Sequence, residues 1–497
     1  MTDTATAAAT LVGGGDQPDL YLGGRWVAPH STTRIDVFSP ATGEQVGSVP
    51  NGDATDVDTA VAKGRRAFES GVWRAKTPAQ RAAVLRRAAE LINERSADIT
   101  GLISAEMGAS PTDVATLQQL PGTGVLSGYA DAAEAYPWEE KRTGLFGETL
   151  VVREPIGVVG AIIAWNVPLF LICNKLGPAL AAGCSIVLKP APETPLDANL
   201  LAEIFTEAGV PAGVLSVVTG GLEAGQALVE HPDVDKITFT GSTAAGRIIA
   251  ARCGDLLKRC SLEMGGKSAA IVLDDVDLPS NIHMLVFSGL LNNGQACVAQ
   301  TRVLVPRSRH DEIVAAMVET AKTFTPGVPG DPDAKLGPII TDKQRSKVED
   351  YIATGKAEGA TAVLDGGRPD GLDSGHFVAP TIFTGVTNDM TIAREEIFGP
   401  VISVIAYDTV DEAIAIANDS DYGLAGSVWT SDIARGVEIA KQVRTGTYGI
   451  NWYAIDPASP FGGYKNSGIG RENGREGLES YLEHKSILMP MGYSSGN

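Results

Sequence analysis

Three separated stretches carry side chains able to do carbonyl chemistry. The first, Asn292-Asn-Gly-Gln-Ala-Cys-Val-Ala-Gln-Thr-Arg302, sets Cys297 in polar, glycine-containing surroundings directly after a long apolar segment. A lone cysteine is most often a small, inert, buried hydrophobe. Two further stretches supply what a nucleophilic thiol needs. Leu262-Glu-Met-Gly-Gly-Lys-Ser268 offers Glu263 as a base, because a carboxylate beside glycines can swing and be partly desolvated, which raises its pKa toward neutrality. Ile163-Ala-Trp-Asn-Val-Pro168 offers the Asn166 amide as a neutral donor to a developing oxyanion, although an asparagine before Val-Pro also suits a buried turn.

In type and order these stretches resemble the aldehyde dehydrogenase superfamily. Its signatures are a Glu-Leu/Met-Gly-Gly-Lys segment, a later Gly-Gln-x-Cys segment and an upstream Trp-Asn pair. The resemblance runs from about Tyr21, in Tyr-Leu-Gly-Gly-Arg-Trp-Val, to the Lys485-Ser-Ile-Leu-Met-Pro end. It implies NAD(P)-dependent oxidation of an aldehyde: Cys297 adds to the carbonyl, Asn166 and the cysteine's own N–H receive the oxyanion, and loss of hydride leaves a thioester. Glu263 then activates the water that hydrolyses it. Members that pass the acyl group to coenzyme A generally lack that glutamate, so its presence implies water as acceptor. Glu472, in Gly470-Arg-Glu-Asn, and Lys175, in Asn174-Lys-Leu-Gly-Pro, match a proton relay of the family, while a surface helix carboxylate is the plainer reading of Glu472.

For the cofactor, Gly241-Ser-Thr-Ala-Ala-Gly246 follows an apolar strand and keeps the outer two glycines of Gly-x-Gly-x-x-Gly, with Thr243 in the middle. A tight turn capped by Ser242 or Thr243 and a phosphate site on free helix N–H groups are compatible readings. The resemblance assigns the pyrophosphate to Ser242 and the adenosine ribose to Lys189. It also places Ile162, Ile163, Trp165 and Gly265 along the cofactor, and Glu396 and Phe398 at the nicotinamide end. Many NAD-preferring members carry a glutamate three positions after the lysine; here that position is Pro192, so NAD is expected and NADP is not excluded. The tunnel positions of the family correspond to Val167, Leu171, Asn174, Val298, Trp452, Ile455 and Phe461. This set contains no arginine to fix a carboxylate tail, and Val167 and Asn174 replace common aromatics, which implies a bulky or branched apolar aldehyde.

The elements that must position these groups are legible as strands alternating with helices: Ile156 to Ile163, Leu171 to Ala182, Ser185 to Lys189, Leu196 to Ala208, Leu215 to Thr219, Leu222 to Val229 and Lys236 to Thr240. That alternation predicts right-handed crossovers and a doubly wound parallel α/β sheet of Rossmann-like, nucleotide-binding type. A second α/β series follows, with strands near Ala269 to Leu273, Arg302 to Pro306, Ala362 to Leu364, Val401 to Tyr407 and Ser427 to Thr430. The expected organisation is a mobile leader over 1–16, a cofactor domain over 17–136 and 155–262, a catalytic domain over 263–465, and a small β oligomerisation segment from 137–154 and 482–497. The resemblance has that segment leave the body and pair with the C-terminal strand, implying a homodimer or homotetramer.

A net charge of −20 argues against a general nucleic-acid binder and against docking on anionic lipid. No apolar run reaches membrane-span length and the N-terminus lacks a signal-peptide pattern, so the expected location is cytoplasmic. The cysteines, at 173, 184, 253, 260 and 297, lack zinc or redox-pair spacing, which fits reduced thiols, and the scattered histidines suggest no metal site. A cofactor-free cysteine hydrolase would have no use for the Ser242 segment, and an inactive binding homologue would normally have lost Cys297, Glu263 or Asn166.

Overall fold

Buried parallel strands must be apolar on both faces, since helices cover each side. The runs Ser185–Lys189, Arg302–Pro306 and Val401–Tyr407 come near that condition, Lys236–Thr240 does so only on its Ile237 and Phe239 face, and all four form strands with the expected bounds. In the computed structural model of the protein, residues 15–491 and 493 are described. The expected leader falls outside these except for its last two residues, and Asp16 is already anchored, its carboxylate accepting from Ser48 Oγ at 2.6 Å.

The first sheet carries five parallel strands in the spatial order Leu215–Val217, Ser185–Lys189, Val158–Ile162, Lys236–Thr240, Arg259–Glu263. Chain order reverses between Val158–Ile162 and Lys236–Thr240, the switch point where open α/β sheets bind ligands beyond the strands' C-terminal ends. Antiparallel strands close its edges, Leu20–Tyr21 with Trp26–Val27 on one side and Gly468–Ile469 on the other. The second sheet runs parallel through Thr381–Thr384, Val401–Tyr407, Arg302–Pro306, Ala269–Val272, Gly426–Trp429 and Gly449–Ile450, with Thr361–Leu364 antiparallel at its edge.

Among the departures from the sequence expectation, three have a plain physical reason. Arg259–Glu263 is too polar to announce itself as a strand; its partners on both sides make it one. Thr381–Thr384 is short and was likewise unmarked. The helix expected from Leu171 begins at Pro168, because proline suits a first turn where no N–H is needed. That helix, Pro168–Ala182, is buried along its whole length.

Gly147–Pro155 pairs antiparallel with Leu482–Leu488, from Leu482 against Pro155 to Leu488 against Thr149, and with Glu139–Gly144 on its other side. Leu145, Phe146, Leu488 and Met491 on this small sheet and just beyond it are exposed. No helix among the described residues is long and apolar enough to cross a membrane. The chain passes from the first sheet to the second between Glu263 and Ala269, and the ends meeting there hold the candidate site.

Candidate active site

The helix Leu278–Leu290 leads into three successive left-handed residues, Asn292 (φ 51°), Asn293 (φ 61°) and Gly294 (φ 70°). Asparagine tolerates this conformation better than most residues. At Gly294 a Cβ would lie 2.0 Å from Gly399 O, so no side chain fits. The turn is tied down by Asn292 Nδ2 donating to Asn166 O (2.8 Å) and by Gln295 Oε1 accepting from Ile340 N (3.0 Å). Asn166 Nδ2 donates to Gln295 O (2.9 Å), which fixes its amide against the cysteine loop. One amide N–H remains for another acceptor.

Cys297 and Glu263 approach from different sheets. Glu263 ends its strand, and Gly266 lets the cysteine loop close over it, since a Cβ there would lie 2.3 Å from Cys297 O. Neither carboxylate oxygen of Glu263 has a hydrogen-bond partner among the described residues. Burial, reinforced by the charge of Glu472, holds its pKa well above the ordinary carboxylate range, against Lys175 and Arg471. Burial also pushes the Cys297 thiol up, with Glu396 and Glu263 adding to the shift. Ionising this thiol therefore requires a nearby group to take its proton.

Glu472 is buried and exchanges backbone hydrogen bonds with Phe461 (both 2.7 Å), so the surface-helix reading is wrong. Its carboxylate accepts from Asn174 Nδ2 (2.6 Å) and from Lys175 Nζ. Asn174 thus lines the cavity, as expected of a tunnel residue, and also holds the second glutamate, a pairing no local motif signals.

At the other end, Ser242 caps the helix Thr243–Asp255, its Oγ accepting from Ala245 N (3.3 Å). The remaining first-turn N–H groups have no intrahelical acceptor. Gly246 permits close packing, as a Cβ there would meet Met264 Sδ at 2.1 Å. Glu396 lies across Gly265, where a Cβ would sit 2.3 Å from Glu396 Oε2, and its Oε1 accepts from Gly266 N (2.9 Å). Phe398, at φ 60°, stands edge-on to Trp165 with centroids 5.4 Å apart. Lys189 Nζ donates to Pro190 O (2.6 Å) and Gly220 O (2.9 Å), and burial lowers its pKa to about 8. Helix N–H donors, a buried lysine at a strand end and the Glu396 carboxylate form a donor and acceptor set that fits a dinucleotide at the switch point.

One cavity of about 630 Å³ joins the two ends. It is lined by Cys297, Asn166, Glu263 and Glu472, by Trp165, Gly241, Ser242, Gly265, Glu396 and Phe398, and by Val167, Leu171, Asn174, Val298, Ile455 and Phe461. Lys175, Lys189, Ile162, Ile163 and Gly246 do not line it. Trp452 is a correction: its side chain is 60% exposed and Tyr453 faces the cavity instead. Asn451, left-handed at φ 58° and bonded to both backbone groups of Thr430, turns the chain there and reverses which neighbour points inward. Sequence reasoning also missed the apolar wall of Leu117, Leu120, Phe170, Met284, Phe287 and Leu291. The last three recur at helical spacing, a pattern indistinguishable from an ordinary core face.

A doubly wound sheet whose switch point opens on a part-buried thiol suits a nucleotide-dependent oxidoreductase. The model of the aldehyde dehydrogenase family matches residues 26–487, and the chain belongs to that family. It is an enzyme of that class, an oxidoreductase acting on the aldehyde group. Over 476 residues it is 46% identical to the geranial dehydrogenase of Castellaniella defragrans, covering 95% of this chain and 99% of the relative. It is 44% identical to 3-succinoylsemialdehyde-pyridine dehydrogenase of a Pseudomonas species, over 96% and 99%. Among solved structures, the Mycobacterium tuberculosis aldehyde dehydrogenase complexed with NAD+ superposes with a TM-score of 0.96 at 57% identity, covering 97% of this chain and 100% of the other. A mutant aldehyde dehydrogenase C of Pseudomonas syringae, complexed with NAD+ and octanal, gives 0.92 at 42% identity, over 96% and 97%.

Proposed function

We propose that the protein is an NAD-dependent aldehyde dehydrogenase of the hydrolytic type, converting an apolar aldehyde and water to the carboxylic acid. The observation that carries this reading is the opening of Cys297, Asn166 and Glu263 on one cavity with a polar end and an apolar end. Bound at the polar end, the nicotinamide supplies the two-electron acceptor. Cys297 Sγ bonds to the aldehyde carbon as its proton leaves to water in the cavity, and the free N–H of Asn166 with the Cys297 backbone N–H receives the carbonyl oxygen as it becomes anionic. When that oxyanion collapses, the aldehydic hydrogen leaves with two electrons and a thioester remains on Cys297. Glu263 takes a proton from the water that attacks the thioester, the carbon–sulfur bond breaks, and the proton moves on toward Glu472 and Lys175. A carboxylate held high by burial suits this work near neutral pH.

The apolar wall, including Phe170, Phe287 and Leu291, favours bulky or long apolar aldehydes, in keeping with relatives named for geranial and complexed with octanal. Pro192 leaves no carboxylate three positions after Lys189, so NAD serves as cofactor and nothing at that position repels the 2′-phosphate of NADP. The exposed apolar residues of the three-stranded sheet support assembly with further copies of this chain, and free cysteines suit a reducing cytoplasm. The test is absorbance of reduced nicotinamide with NAD or NADP across an aldehyde panel. Turnover on apolar aldehydes is expected; no reduction with any aldehyde, or turnover that needs coenzyme A and yields acyl-CoA, overturns the reading.

A further inference from the structure

The helix that starts at Ser242 and the strand that ends at Glu263 are joined at their far ends by a tight corner. There Lys258 N donates to Cys253 O (2.9 Å) and Leu257 N to Gly254 O (3.2 Å), the paired bonds of a Schellman turn. Its left-handed position is Leu257, at φ 55° and 88% exposed, where glycine is the usual occupant. The turn folds Cys260, the second residue of the strand, back toward Cys253 in the last turn of the helix, and the two side chains come together. Both pack in one apolar cluster, Cys253 buried and Cys260 part-exposed. Seven residues apart in sequence, they lack the Cys-x-x-Cys spacing that would have marked them.

We propose that Cys253 and Cys260 form a redox-active dithiol that a peroxide closes to a disulfide, clamping the Ser242 helix to the Glu263 strand. The asymmetry of the pair sets the roles. Cys260 is part-exposed on its strand, whereas Cys253 is buried beneath it. Cys260 is thus the attacking sulfur and the one that a small oxidant reaches. Its thiolate attacks one peroxide oxygen, the O–O bond breaks, and Cys260 becomes a sulfenic acid while the other oxygen leaves as hydroxide. Cys253 sulfur then displaces the sulfenic oxygen as a second hydroxide, and the two hydroxides take up the proton of Cys253 and the one Cys260 released on ionising. Two thiols lose two electrons and the peroxide ends as two waters.

Trypsin cuts after Lys258 and Arg259, so the disulfide would join two peptides that reduction separates. The full chain is treated with hydrogen peroxide near equimolar, alkylated, digested and analysed by mass spectrometry. The expected result is the joined peptide as the main oxidation product, with two of the five thiols lost per chain. In Cys253→Ser, Cys260 should instead stop as a sulfenic acid trapped by dimedone, with aldehyde turnover before peroxide treatment unchanged. Alkylation of both cysteines after peroxide, a joined peptide involving Cys297 instead, or the absence of the dimedone adduct in Cys253→Ser would overturn the proposal.

Discussion

The two ends of the cavity are built by different means. At the polar end, backbone meets backbone or a fixed carboxylate: Gly265 against Glu396, Gly266 against Cys297 O and Gly294 against Gly399 O leave no room for a Cβ. At the apolar end the wall is side chains from separate helices, with Leu117, Leu120, Phe170, Met284 and Phe287 touching the cavity by shape alone. Positions set by backbone contact tolerate almost no change, whereas a hydrophobic pocket gains or loses only about 1–3 kcal/mol per methylene-scale alteration. The chemistry therefore sits where the fold is rigid, and selectivity sits where it can vary.

That contrast breaks if the polar end proves dispensable. Cys297→Ser should reduce turnover below about a hundredth of wild type while leaving cofactor binding nearly intact, because only the covalent step is lost. Steady-state rate and equilibrium cofactor titration, measured together, check it. Glu263→Gln should stall after the first turnover, giving a burst of reduced nicotinamide near one per site and then a steady state slowed by roughly 10²–10⁴. Because burial raises the pKa of Glu263, wild-type deacylation should fall as pH drops through that raised value and rise above it. The variant should lack this limb, and loss of the burst itself would place Glu263 earlier, at deprotonation of Cys297.

Two smaller effects sharpen the comparison. The efficiency ratio of NAD to NADP should stay below about a thousandfold, ~4 kcal/mol, and a larger preference would assign discrimination to some group other than the residue at position 192. At the apolar end, Phe170→Ala should leave the rate on a short aldehyde within a few-fold but cost a long apolar one about tenfold or more in kcat/KM. An equal loss on both substrates would move Phe170 from selectivity to structure.

Much of the polar end was legible because its signals are local. Buried strands such as Val401–Tyr407 and Arg302–Pro306 read directly from their apolar runs, and the glycines around Glu263 and Cys297 stand beside the residues they serve. Trp452 failed for an equally specific reason. Inward and outward faces alternate along an extended chain, and the left-handed Asn451 shifts that alternation by one residue, a geometry set by its bonds to Thr430. The strand Arg259–Glu263 was missed because its sequence is polar and its neighbours supply the pairing.

By itself the sequence determined the doubly wound plan and the family, and it singled out the candidates for nucleophile, base and amide donor, since each rests on residue types at short range. Tertiary structure alone decided that Asn174 and Lys175 share Glu472, that Phe170, Met284 and Leu117 form one wall, and that Cys253 meets Cys260. These are contacts between elements whose relative placement depends on the packing of two sheets and their helices, and no period or motif along a chain encodes a distance across it.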